Sequence, residues 1–136
     1  MRVVIDTGVF VSALIRREGR TGDVLRALSN GRFSVIYSVN TLIEVIDVLG
    51  RSSFRIKYNI EMGDITALVN LIRLSGELVT PIRSVCICRD AKDDKFLEAA
   101  LEGIADCIVT GDADLLVLEK FEGIPIYRPV DFLAIL

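Results

Sequence analysis

Short apolar runs of strand length alternate with helix-period segments along this chain, and few architectures accept that alternation. Arg2–Ile5 (RVVI) reads as a buried strand closed by Asp6-Thr7-Gly8, and Val9–Ile15 continues as one or two apolar helical turns. Arg16–Gly22 reads as a charged loop, and Asp23–Leu28 as a helix stopped by Asn30-Gly31. Phe33–Tyr37 is a second strand, after which Ser38 or Asn40 caps a helix to about Leu49. Gly50–Tyr58 is a basic stretch without a clear period, and Glu61–Leu74 sets Ile65, Leu68, Val69 and Ile72 on one helical face. Glu77–Thr80 reads as a strand, Ala91–Glu102 as a helix, Cys107–Thr110 as a strand and Ala113–Leu118 as a helix. Ile124–Tyr127 is the last strand, and Asp131 or Pro129 opens a terminal helix. Strands joined by helical crossovers form a parallel sheet covered on both faces. The expectation is one α/β domain over residues 1–136.

Composition agrees. A chain of 136 residues, 51% hydrophobic, can bury roughly two-thirds of its unfolded surface and needs no staples. The longest uncharged run, Phe33–Ile43, is 11 residues, against the ~20 that span a bilayer. An acid at position 6 leaves no room for a signal-peptide core, and three cysteines make no disulfide framework, so a cytoplasmic protein is expected. The formal charge of −3 argues at first sight against a nucleic-acid partner.

The chain has no histidine, which removes Ser-His-Asp, Cys-His and paired-histidine chemistry together with histidine-ligated zinc. Cys86, Cys88 and Cys107 lack a fourth thiolate and read as small apolar residues in or near strands. Hydrolytic chemistry then rests on carboxylates, hydroxyls, Lys or Arg, and carboxylates with a hard cation are the obvious option. In open parallel sheets ligands bind beyond the carboxyl ends of the strands. Asp6 follows the first strand directly, and Asp112 stands two residues after Thr110; neighbouring strands would put both in one crevice. Asp94 opens a helix behind Asp90 and Asp93, and Glu44 lies mid-helix after the second strand. Such a cluster cannot stay fully ionised uncompensated, and a divalent cation removes that penalty. Each acid also has a plain alternative: Asp6, Asp94 and Asp112 suit helix N-termini, and Glu44 shares a polar face with Asn40 and Asp47.

Taken in order, these residues resemble the PIN domain family. The likeness runs through VVIDTGVFVSALI with Asp6 and Thr7, SVNTLIEVIDVL with Glu44, and DAKDDKFLEAALEGIADCIVTGDADLL with Asp94, Thr110 and Asp112. The subgroup it is most similar to is the toxins of toxin–antitoxin pairs, in the style of VapC. The resemblance implies a three-layer α/β/α sandwich around a parallel sheet of about five strands. It also implies an endoribonuclease in which Asp6, Glu44, Asp94 and Asp112 hold Mg²⁺ or Mn²⁺, and RNA phosphodiesters are hydrolysed by metal-activated water. Thr110 and Thr7 would orient groups in the site, Asp114 would be an extra ligand or carboxylate relay, and Asp93 competes for the place given to Asp94. The implied partners are RNA, a cognate antitoxin and a second copy of the chain in a homodimer.

Charge distribution reopens the question of RNA. Residues 1–60 carry 9 basic and 5 acidic side chains, whereas residues 61–136 carry 7 and 14. Arg16–Arg20 and Arg51–Tyr58 are the candidate RNA grips, the second with Phe54 and Tyr58 available for stacking. Two other classes compete: a catalytically idle PIN-like module that binds RNA or protein, and an aspartate-phosphorylated α/β domain. The second is disfavoured because no Asp stands two residues after Asp6 and no acidic pair adjoins the first strand.

Overall fold

The computed structural model describes residues 1–136. The strands are β1 (Arg2–Ile5), β2 (Ser34–Tyr37), β3 (Gly76–Leu78), β4 (Cys107–Val109), β5 (Lys120–Phe121) and β6 (Ile124–Tyr127). The helices are α1 (Thr7–Ile15), α2 (Arg20–Ser29), α3 (Val39–Gly50), α4 (Ser52–Tyr58), α5 (Met62–Ser75), α6 (Asp94–Glu102), α7 (Ala113–Leu116) and α8 (Pro129–Ile135). The sheet order is β3-β2-β1-β4-β6-β5. No helix is long and apolar enough to cross a membrane.

Strand alternation builds the two outer layers. Val3 and Ile5 of β1, with Cys107 and Val109 of β4, face a core of 18 buried residues shared with α1, α2, α3, α5 and α8. Val4 and Ile108 point the other way, into 12 buried residues shared with α6 and α7. The expected α/β/α sandwich is thus observed, and Cys107 packs as a small apolar residue. Cys86 and Cys88 instead lie in the irregular segment before α6, exposed and half-buried respectively.

Five strands run parallel, as expected, and a sixth was not anticipated. β5 pairs antiparallel with β6 through a two-residue turn in which Glu122 (φ 48°) and Gly123 (φ 83°) both take positive φ. Two residues are too few to display a period. The aperiodic basic stretch also has structure: Ser52–Tyr58 is helical, ended by Asn59 in the left-handed conformation. Arg20–Gly22, expected in a loop, form the first turn of α2.

α5 passes into β3 without a loop, and this requires glycine. A Cβ on Gly76 would lie 2.5 Å from the Ile72 carbonyl oxygen and 2.6 Å from that of Val35. Gly76→Ala is expected to destabilise by about 1–3 kcal/mol, as backbone must yield on both sides. A urea midpoint equal to that of the wild type would show that the junction relaxes freely.

Register sets up the crevice. β1 pairs with β2 on one side and β4 on the other, so the chain reverses its direction of sheet growth between β1 and β4. Ile5 stands opposite Val109, which places Asp6 and Thr110 side by side at the carboxyl edge.

Candidate metal centre

Asp6 is buried at the N-terminus of α1 and does two things at once. One oxygen caps the helix, accepting from Val9 N at 2.9 Å, and the other accepts the Thr110 hydroxyl. Capping and site roles are therefore compatible, since each carboxylate oxygen has a second lone pair. Burial pushes the Asp6 carboxyl up to about 6, against the pull of the Thr110 and Val9 hydrogen bonds, with the charges of Asp112 and Glu44 adding to the rise.

Thr110, fully buried at the end of β4, ties two acids together. Its hydroxyl donates to Asp6 and accepts from Asp112 N at 2.9 Å. Asp112 in turn accepts from Asp114 N at 2.8 Å, which opens α7. Asp93, Asp112 and Asp114 each offer a carboxylate oxygen within 4.8 Å of the others.

Glu44 reaches the crevice from α3, whose start is set by a Ser38–Thr41 capping box, so Ser38 rather than Asn40 is the cap. One Glu44 oxygen accepts the Thr7 hydroxyl, and the other accepts Lys95 Nζ at 3.0 Å. A cleft of about 550 Å³ is lined by Asp6, Thr7, Glu44, Asp93 and Asp112, together with Ser12 and Thr21.

Asp94, expected among the converging acids, is not one of the residues lining that cleft. Its Oδ1 accepts the backbone N–H groups of Cys88 at 2.8 Å and Ile87 at 3.1 Å, so it pins the segment leading into α6. Burial works against its charge, but those two donors outweigh it and hold the carboxyl below the ordinary range. Asp93, one residue earlier in the turn Ala91–Asp93, lines the cleft instead. Its Oδ2 is the one buried side-chain polar atom without a hydrogen-bond partner. Burial, then the charges of Asp112 and Asp90, push the Asp93 carboxyl up to about 7.

Sequence reading missed Ser12 and Thr21 as cleft groups, Lys95 as the partner of Glu44, and Arg89, whose guanidinium sits 2.8 Å from Asp114. A hydroxyl or a lone cation carries no periodic signal. Of the expected RNA grips, Arg17 is held by Asp64 at 3.1 Å and Arg20 lies 4.0 Å from Asp23. Phe54 and Tyr58 pack on each other with ring centroids 4.7 Å apart, and Phe54 leans on the core.

A parallel-sheet crevice lined by strand-end and helix-start carboxylates defines a class, and the sequence comparison agrees with it. Residues 2–114 match the PIN domain family, and the chain belongs to that family. An uncharacterized protein of Methanocaldococcus jannaschii is 32% identical over 118 residues, covering 87% of this chain and 75% of that protein. VapBC2 from Rickettsia felis, solved bound to a DNA fragment from its promoter, has the same fold with a TM-score of 0.63. The alignment covers 94% of this chain and 98% of that one at 12% identity.

Proposed function

We propose that this chain, as a single PIN-like domain over residues 1–136, is a divalent-metal-dependent endoribonuclease and the toxin of a toxin–antitoxin pair. The observation that carries the reading is Asp93 Oδ2, buried and unpartnered beside Asp112. No cation of the chain pairs with Asp6, Asp93 or Asp112, whereas Glu44 and Asp114 each have one. An orphaned carboxylate oxygen among uncompensated acids fits Mg²⁺ or Mn²⁺, which take oxygen ligands. Asp6, Asp93 and Asp112 would hold the ion, with Asp114 beside them. Asp94, engaged by two backbone donors, supports the turn that presents Asp93.

A bound divalent cation supplies Lewis-acid polarisation of a phosphoryl oxygen and water of lowered pKa. The chain's own residues set the geometry. Thr110 bridges Asp6 and Asp112, and Thr7 orients Glu44. Family membership and the fold shared with VapBC2 support the nuclease reading, with a cognate antitoxin as protein partner, a homodimer as assembly and a cytoplasmic location.

The test is incubation of purified protein with structured RNAs, with Mn²⁺ and with chelator. Cleavage is expected only with metal, leaving 5′-phosphate and 3′-hydroxyl ends. Ends bearing 2′,3′-cyclic phosphate would mean attack by the ribose hydroxyl and would overturn the reading. Absence of both cleavage and a metal-induced rise in melting temperature would favour the idle binding module.

A further inference from the structure

Glu44 differs from the cleft acids Asp6, Asp93 and Asp112 because a cation of the chain, the Lys95 ammonium, pairs with one of its oxygens while the Thr7 hydroxyl donates to the other. Lys95 lies one helical residue beyond Asp94, with a side chain only 19% exposed. Its Nζ sits 3.0 Å from Glu44 Oε1 and 5.5 Å from the ring centroid of Phe96, and both Glu44 and Phe96 line the cleft. The ammonium is therefore held beside two cleft-lining residues, Glu44 of α3 and Phe96 of α6. Only one of its three N–H donors is used within the chain. Arg89 offers a contrast: it pairs with Asp114 while 86% exposed, a contact of little energetic weight.

The cleft needs such a group. Asp6, Asp93 and Asp112 repel a phosphodiester, and a cation already anchored by its own acid attracts one without collapsing onto the ligand carboxylates. We propose that Glu44 serves as the anchor of Lys95 rather than as a metal ligand, and that Lys95 Nζ contacts an RNA phosphate oxygen in the cleft. The inference rests on the nuclease reading above and assigns the substrate contact within it.

The experiment compares wild type, Lys95→Met, Lys95→Arg, Glu44→Gln and the double variant Glu44→Gln/Lys95→Met. It reads the Mn²⁺-induced melting shift, binding of a labelled RNA oligonucleotide in Ca²⁺, and kcat/KM for cleavage in Mn²⁺. Glu44→Gln is expected to keep most of the melting shift. Lys95→Met and Glu44→Gln should each weaken RNA binding and lower kcat/KM by about 10–100-fold. The double variant should lose little more than either single one, because the two residues act as a unit. Lys95→Arg should recover part of the loss. A melting shift abolished in Glu44→Gln would make Glu44 a ligand and overturn the proposal. RNA binding unchanged in Lys95→Met, with only stability altered, would reduce the pair to a structural bridge and also overturn it. Wild type that binds RNA but never cuts it would retire the nuclease reading, while a binding loss in Lys95→Met would still support the phosphate contact.

Discussion

Asp6→Asn is expected to lower metal-dependent RNA hydrolysis by about 10³-fold and, in the same protein, to raise the stability of the metal-free fold at pH 8. The two effects share one cause. Asp6 is buried beside Asp112 and Glu44 with no cation of the chain opposite it, and its carboxyl stands at about 6 instead of 3.8. A raised carboxyl favours the fold while protonated. That contribution is complete below pH 3.8 and is lost as pH rises through about 6. The difference corresponds to about 3 kcal/mol against the ionised, metal-free fold at pH 8. Asparagine stays neutral and still accepts from Val9 N, so it should recover about 1–3 kcal/mol of that loss without metal. Asp93, pushed up to about 7, acts in the same direction and the same range of pH. Asp94 acts oppositely: its carboxyl is held low, so it favours the fold above the ordinary carboxylate range and loses that effect in acid. Thermal melts at pH 5 and pH 8, with chelator and with Mn²⁺, separate these contributions. A variant less stable than wild type at pH 8 without metal would show that Asp6 acts chiefly as a helix cap. Cleavage retained in full would remove it from the ligand set.

Phe132→Ala should cost about 3–5 kcal/mol, much of the margin of an ordinary domain. Phe132 is fully buried on α8 and meets Phe33 edge to face, with ring centroids 5.2 Å apart and planes at 87°. It belongs to the larger core, with Leu28 and Val24 of α2, although it lies beyond residue 114, where the family match stops. The terminal helix is thus part of the fold and packs against α2 and β6. A fall in melting temperature of about 10–20 °C is expected. A fall of less than about 3 °C would mean that α8 rests on the core without supporting it.

The alternation of short apolar runs with helical periods was enough to specify a parallel sheet with two covered faces, because each element buries its own stripe or alternate residues. Asp6, Thr110 and Asp112 were legible for the same reason: strand ends are local features, and the carboxyl edge of such a sheet is where they gather. Elements without a period escaped. β5 has two residues, and α4 is a basic helix with no buried residue of its own.

The choice between Asp93 and Asp94 shows most clearly what the chain order could not decide. Adjacent residues entering a helix point about 100° apart, so only one of the two carboxylates can face the crevice. Which one does depends on the segment before α6, whose N–H groups at Ile87 and Cys88 capture Asp94 and leave Asp93 unpartnered. The Thr110–Asp6 and Lys95–Glu44 contacts join residues 104 and 51 positions apart. The sequence by itself determined the architecture, the acid-rich edge and the exclusion of histidine chemistry, since these follow from residue types and local spacing. Only the tertiary structure decided which acids converge, which pair with Lys95 and Arg89, and which are left without a cation of the chain, because strand register and helix phase set those distances.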